Sequence, residues 1–175
     1  MKTNFLIILF LTSAVIFAQN SKFSFGGGIG FGSLMGSFPS QTTLGSKLFC
    51  EIPVSIKPID KIQIQYSFAQ KMEKFLPGNQ RIKYFSYMHS FGVSGFFIQP
   101  LNEGINVEEG IGLTYLNDRS FNDINTWNLG LLFNFAGALR ISQNSDMVLN
   151  LDYGVTFTNT NASYFLLSVL YKYSL

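Results

Sequence analysis

Residues 127–141 read WNLGLLFNFAGALRI, and this stretch decides the fold. Its odd positions are Trp127, Leu129, Leu131, Phe133, Phe135, Gly137, Leu139 and Ile141. Its even positions are Asn128, Gly130, Leu132, Asn134, Ala136, Ala138 and Arg140. One series is large and apolar, the other mostly small or polar. Side chains alternate sides along an extended chain, so a period of two marks a strand with two unlike faces.

The same alternation recurs outward in both directions. Phe165, Leu167, Val169, Tyr171, Tyr173 and Leu175 alternate with Tyr164, Leu166, Ser168, Leu170, Lys172 and Ser174, and Leu149, Leu151, Tyr153, Val155 and Phe157 alternate with Asn150, Asp152, Gly154, Thr156 and Thr158. Towards the N-terminus the apolar series are Phe23–Phe31, Leu48–Ile56, Ile62–Phe68, Phe85–Phe97 and Val107–Tyr115. That makes eight strands, each long enough for the 9 to 11 tilted residues that cross a bilayer. Connections fall near Met35–Thr43, Gln70–Ile82, Asn117–Asn125 and Asn159–Ala162 on one side, and near Pro58–Asp60, Gln99–Gly104 and Ser142–Ser145 on the other. The first set is mostly longer, as the outer loops of membrane barrels are, and the second short, as periplasmic turns are.

Composition points the same way. Aromatic residues make up 16% of the 175-residue chain and charged residues only 13%, about half the share usual in a soluble domain. Part of the folded surface therefore faces something other than water. The net charge of +2 is spread along the chain, and no basic stripe suggests nucleic-acid binding. Cys50 is the only cysteine and His89 the only histidine, too few for a disulfide or a typical metal site, and no cofactor is expected.

A soluble sandwich also alternates, so alternation alone does not decide which face is outside. The polar series is rich in Gly, Ser, Asn and Thr, which suits a cramped interior. Aromatics gather near both strand ends: Phe68, Phe85, Tyr87, Tyr115, Trp127, Phe157 and Phe165 at one, Phe23, Phe25, Phe97, Tyr171 and Tyr173 at the other. Two girdles belong at two bilayer interfaces. Because lipid offers no hydrogen bonds, strands span it only as a closed sheet. The expected fold is an all-β, transmembrane, antiparallel up-and-down barrel of eight strands in the cell outer membrane, in contact with its lipids.

On these features the chain resembles the small eight-stranded outer-membrane barrels, such as the transmembrane domain of outer membrane protein A. Val169, Tyr171, Tyr173 and Leu175 match the alternating C-terminal pattern of that class. The resemblance implies that these residues are read by the barrel assembly machinery.

Lys47, Glu51, Glu108, Arg140, Asp152 and Lys172 all have inward parity. In so narrow a bore they should form a paired structural network, since an unpaired buried charge is costly; Asp152 and Lys172, on consecutive strands, are expected to meet. No catalytic residue is assigned. Outer-membrane lipid A deacylases use a His–Ser pair with an acid, but His89 and Ser90 are adjacent and should face opposite sides, whereas a base must reach its nucleophile. The glycines Gly26, Gly27, Gly28, Gly30 and Gly32 lack the strand-to-helix context of a phosphate loop and read as lumen-facing positions of a curved strand. Pro53 should require a bulge, and Glu109, of outward parity, should lie near the periplasmic interface or beside another bulge. The functional expectation is a non-enzymatic barrel with a plugged lumen and a structural or surface-contact role, its outer loop around Lys71, Lys74 and Arg81 being the contact surface. The alternatives are an embedded lipid hydrolase of the deacylase kind and a secreted soluble sandwich or lipid carrier.

Lys2, the apolar run Phe5–Phe17 and the small Ala18 have the order of a secretory signal. Residues 1–18 are expected to be the signal peptide and residues 19–175 the barrel domain. Mass spectrometry of the membrane-bound protein should find a start near Gln19, and retention of Met1 would rule the signal out.

Overall fold

The computed structural model describes residues 23–36, 40–78, 85–119, 125–157 and 162–175, so the proposed signal peptide and Arg81 lie outside the described residues. Eight strands follow in order: β1 (Ser24–Met35), β2 (Gln41–Ile56), β3 (Ile59–Lys71), β4 (Tyr87–Pro100), β5 (Ile105–Arg119), β6 (Thr126–Ser142), β7 (Ser145–Thr156) and β8 (Ser163–Ser174). A short 3-10 turn, Met72–Phe75, follows β3. Each strand pairs antiparallel with its sequence neighbours, and β1 pairs with β8 to close the barrel.

The register sets the barrel's geometry. From Lys61 on β3, successive partners are Phe96, Gly110, Asn134, Asp152, Leu166, Gly32 and Thr43, and the circuit returns to β3 at Lys71, ten residues further on. A stagger of that size over eight strands requires a strand tilt of about 40°. Two register shifts interrupt the ladders, both at the short-turn end: one between Pro53 and Ile56 against β3, the other between Arg140 and Ser142 against β7. The first accommodates Pro53, which cannot donate a ladder hydrogen bond. Neither ladder beside Glu109 is shifted, so the bulge considered for it is absent; Glu109 sits in register between Phe97 and Phe135 with its side chain exposed.

The faces follow the sequence pattern. On β6, Trp127, Leu129, Phe133, Phe135, Leu139 and Ile141 are exposed, whereas Asn128, Leu132, Asn134, Ala136 and Ala138 are buried. The outward band includes Ile29 at 70% and Leu48 at 62% exposure, while Lys47 inside is at 0%. Apolar side chains out and lysine in is the reverse of a soluble protein, and it fits a closed sheet surrounded by hydrocarbon.

Aromatic contacts gather near the outer rim. Tyr115 and Trp127 stack with centroids 4.9 Å apart, Phe91 lies 6.0 Å from Trp127, and Phe68 and Tyr87 flank His89 at 5.2 and 5.5 Å. At the other end Phe25 meets Tyr173 at 5.8 Å.

The interior holds two apolar clusters. Leu34, Ala69, Met88, Leu116, Leu132, Ala162, Tyr164 and Leu166 fill the outer half, and Phe49, Ala136, Ala138, Val148 and Leu170 line the inner half. Glycine makes this possible at two kinds of place. Along the closure seam, a Cβ added at Gly28, Gly30 or Gly32 would lie 2.0, 2.2 or 1.8 Å from the carbonyl oxygens of Val169, Leu167 or Phe165, so these glycines let β1 curl tightly against β8. Inside the bore, Gly154 provides the space for Tyr164, whose ring carbon Cε1 would lie 2.3 Å from such a Cβ.

Gly137 faces outward with nothing within 4 Å of an added Cβ, which supplies a control. Gly154→Val should destabilise the folded barrel by about 1–3 kcal/mol through overpacking, and Gly137→Val by no more than about 0.5 kcal/mol. Urea unfolding in detergent, followed through Trp127 fluorescence, measures both; equal effects would show that Tyr164 does not occupy that space.

Candidate functional site: the charged interior

Strand alternation points polar side chains of several strands into one narrow bore, where they have only each other for partners. Near the middle, Lys47 of β2 reaches across to β7, its Nζ donating to Asp152 Oδ1 at 2.8 Å and to Asn150 Oδ1 at 3.3 Å. Asn134 Nδ2 of β6 donates to the same Asp152 oxygen and, at 3.1 Å, to Gln65 Oε1 of β3. Strands β2 and β7 stand three apart around the ring, so the Lys47–Asp152 pair ties non-adjacent walls together across the bore. Both side chains are fully buried.

Closer to the short turns, Lys61 of β3 bridges two carboxylates. Its Nζ lies 2.5 Å from Glu51 Oε1 of β2 and 2.6 Å from Glu108 Oε2 of β5, and it stands 4.9 Å from the centre of the Phe96 ring. Gln63 Nε2 also donates to Glu51 Oε1, at 2.9 Å. Lys172 of β8 completes the network, 2.9 Å from Asp146 Oδ2, 3.5 Å from Glu108 Oε1 and 3.8 Å from Glu51 Oε2. Three lysines thus face Glu51, Glu108, Asp152 and the rim residue Asp146. Near-balance of charge is what a low-dielectric interior demands, because an unpaired charge there is far costlier than a paired one.

Five of the six residues singled out by parity, Lys47, Glu51, Glu108, Asp152 and Lys172, are inside and ion-paired. Arg140 is not: it is exposed where β6 runs past the apolar interior, because parity sets a side chain's direction but not its depth. The expected Asp152–Lys172 bridge is also absent. Asp152 stands opposite Leu166 and Lys172 opposite Asp146, so register sends Lys172 to Asp146 and leaves Asp152 to Lys47. Two members were overlooked by sequence reasoning. Lys61 shares the parity of Gln63, Gln65 and Ser67, and Asp146 that of Asn150 and Asp152. Both sit within two residues of a turn, where the start of the alternation is hardest to place.

His89 and Ser90 diverge. Ser90 is buried, 2.7 Å from Thr114 Oγ1 and donating to the Tyr164 hydroxyl at 3.2 Å. His89 lies on the outer face, its Nδ1 2.7 Å from the Tyr66 hydroxyl. With the strand between them, the imidazole cannot take a proton from that serine. Among the described residues no group of three or more His, Cys, Asp or Glu could hold a metal ion. Val169, Tyr171 and Leu175 are exposed on the outward face of the last strand and Tyr173 is half-buried there; the Leu175 amide closes the ladder by donating to the Phe23 carbonyl at 2.9 Å.

A closed eight-stranded sheet with an apolar belt, aromatic rims and an ion-paired interior defines a class, the up-and-down transmembrane β-barrel. Comparison with solved structures agrees. The chain is similar to the Neisserial surface protein A (TM-score 0.69, 11% identity, 87% of this chain and 97% of that one). It is similar also to a major outer membrane protein from Thermus thermophilus (0.63, 15%, 90% and 100%). A third likeness is to the attachment invasion locus protein of Yersinia pestis (0.61, 9%, 89% and 99%). The fold is that of the small eight-stranded outer-membrane barrels, and at these identities fold is what is shared. No protein-family model and no curated protein matches the sequence.

Removing one member of the central pair strands the other. Lys47→Met should lower the unfolding free energy by about 3–5 kcal/mol, whereas Lys47→Met combined with Asp152→Leu should lower it by distinctly less. Denaturant titration of the two variants checks this; equal losses would show that the charges do not interact.

Proposed function

We propose that the protein is a non-enzymatic outer-membrane barrel, exported through its signal peptide, with a lumen closed to ions and a structural or surface-contact role carried by its outer loops. The observation that supports this best is the interior itself. The Lys47–Asp152 pair crosses the bore between two apolar clusters, and the Lys61–Glu51–Glu108–Lys172 network stands below it. A hydrated ion entering that sequence of layers would have to displace buried, mutually bonded side chains.

The surface-contact reading draws on the outer side. There Met72, Phe75 and Leu76 are exposed beside Lys71, which pairs with Glu73 at 2.9 Å. Such a mixed apolar and charged patch suits contact with another macromolecule. One similar structure carries the name of an attachment and invasion protein, in keeping with a role at the cell surface. The alternating Val169, Tyr171, Tyr173 and Leu175 suit recognition of the last strand by the assembly machinery. The inner-surface position of Ser90, away from His89, speaks against the hydrolase alternative.

In planar bilayers the purified monomer should pass little or no current, and large, steady pore currents would overturn the closed lumen. In carbonate-washed membranes the protein should stay with the pellet; release into the wash would point instead to the secreted alternative.

A further inference from the structure

Glu109 is a charged side chain on the outward face, level with the inner aromatic rim and in register with Phe97. Its ladder partners Phe97 and Phe135 are both exposed apolar residues. Along the register line it stands two strands from Asp60, at the end of the short turn into β3. With the strand tilt above, this puts it about 6 Å to the outer side of that turn, at the inner aromatic rim. A carboxylate at that interfacial level, with apolar wall on both sides, is stabilised by a cation that meets it.

Beside Glu109 the wall is dented. Pro58, Ile59, Gly95, Phe97, Glu109 and Ile111 line a groove of about 350 Å³ that opens sideways from the barrel. Gly95 forms its floor, with an added Cβ 3.1 Å from Ile59 Cδ1. No described cation lies within salt-bridge distance of Glu109, and the groove is otherwise apolar.

We propose that this groove is a lipid site selective for a phospholipid with a primary ammonium headgroup in the periplasmic leaflet. The ammonium donates to the Glu109 carboxylate, and the upper acyl chain lies over Gly95 between Ile59, Phe97 and Ile111. Three arguments favour a lipid over a second copy of the chain. The groove is continuous with the belt already turned to lipid. It lies within a few ångströms of the headgroup level. Its single negative charge would face another Glu109 if two grooves met about a two-fold axis.

A primary ammonium offers N–H donors that a choline headgroup lacks, so charge-assisted hydrogen bonding should favour it about tenfold. The test reconstitutes the full barrel in vesicles containing equal phosphatidylethanolamine and phosphatidylcholine. After extraction in mild detergent, native mass spectrometry counts the lipids retained. Wild type should keep one phosphatidylethanolamine. Glu109→Gln should lose the preference while still migrating as a folded, heat-modifiable band. Gly95→Leu, which fills the groove and leaves the carboxylate, should lose retention of both lipids at this site.

Equal retention of the two lipids by wild type, or an unchanged preference in Glu109→Gln, would overturn the proposal. So would efficient disulfide dimerisation of a Glu109→Cys variant in a Cys50→Ser background, which would assign the groove to a second copy. The proposal rests on the membrane reading, and the two fail differently: a soluble protein would retain neither lipid, whereas a barrel without this site would retain both alike.

Discussion

Hydrocarbon cannot hydrogen-bond, and the rest of the structure depends on that constraint. Each backbone N–H and C=O that crosses the bilayer must find its partner within the protein. The pairing of β1 with β8 meets the requirement by leaving no free sheet edge. Closure in turn fixes the stagger and the tilt, and with them the bore. Eight strands enclose a space just wide enough for side chains. Gly28, Gly30 and Gly32 at the seam and Gly154 beneath Tyr164 are where that narrowness is felt most directly.

Closure also inverts the usual arrangement of a protein. The outside carries Ile29, Leu48 and Phe133, and the inside carries lysines and carboxylates. An interior of this kind does not draw the chain together through burial of grease alone. It is held by ladders around the wall and by a few bonds across it. Lys47–Asp152 joins walls three strands apart, and Lys61 and Lys172 gather carboxylates from β2, β5 and β7. These contacts arrange the charged side chains of the bore in specific bonded layers. Glu109 stands out on the outer wall, a charge at the inner aromatic rim flanked by the exposed Phe97 and Phe135.

Much of this was legible from one property, the period of two. A residue's parity on a strand states which face it takes, and on β6 it does so without exception from Trp127 to Ala138. Strand count, loop asymmetry and the inward lysines and carboxylates follow from the same property. It was weakest at turns, where Lys61 and Asp146 lie at the start of their strands. It was silent on depth, which is why Arg140, inward by parity, is exposed at the rim.

By itself the sequence determined the class of fold and the two faces of every strand, because alternation is a local consequence of extended backbone geometry. It also determined that charges of both signs enter the bore. Only the tertiary structure decided which charge meets which. Pairing across the lumen depends on the stagger accumulated around the whole barrel, a ten-residue offset that no single strand encodes. Asp152 and Lys172 lie on adjacent strands yet do not bond, because register sets Asp152 opposite Leu166. Asp152 and Lys47 lie 105 residues apart and do, because closure through β1 and β8 brings β2 and β7 within the reach of one lysine across the bore.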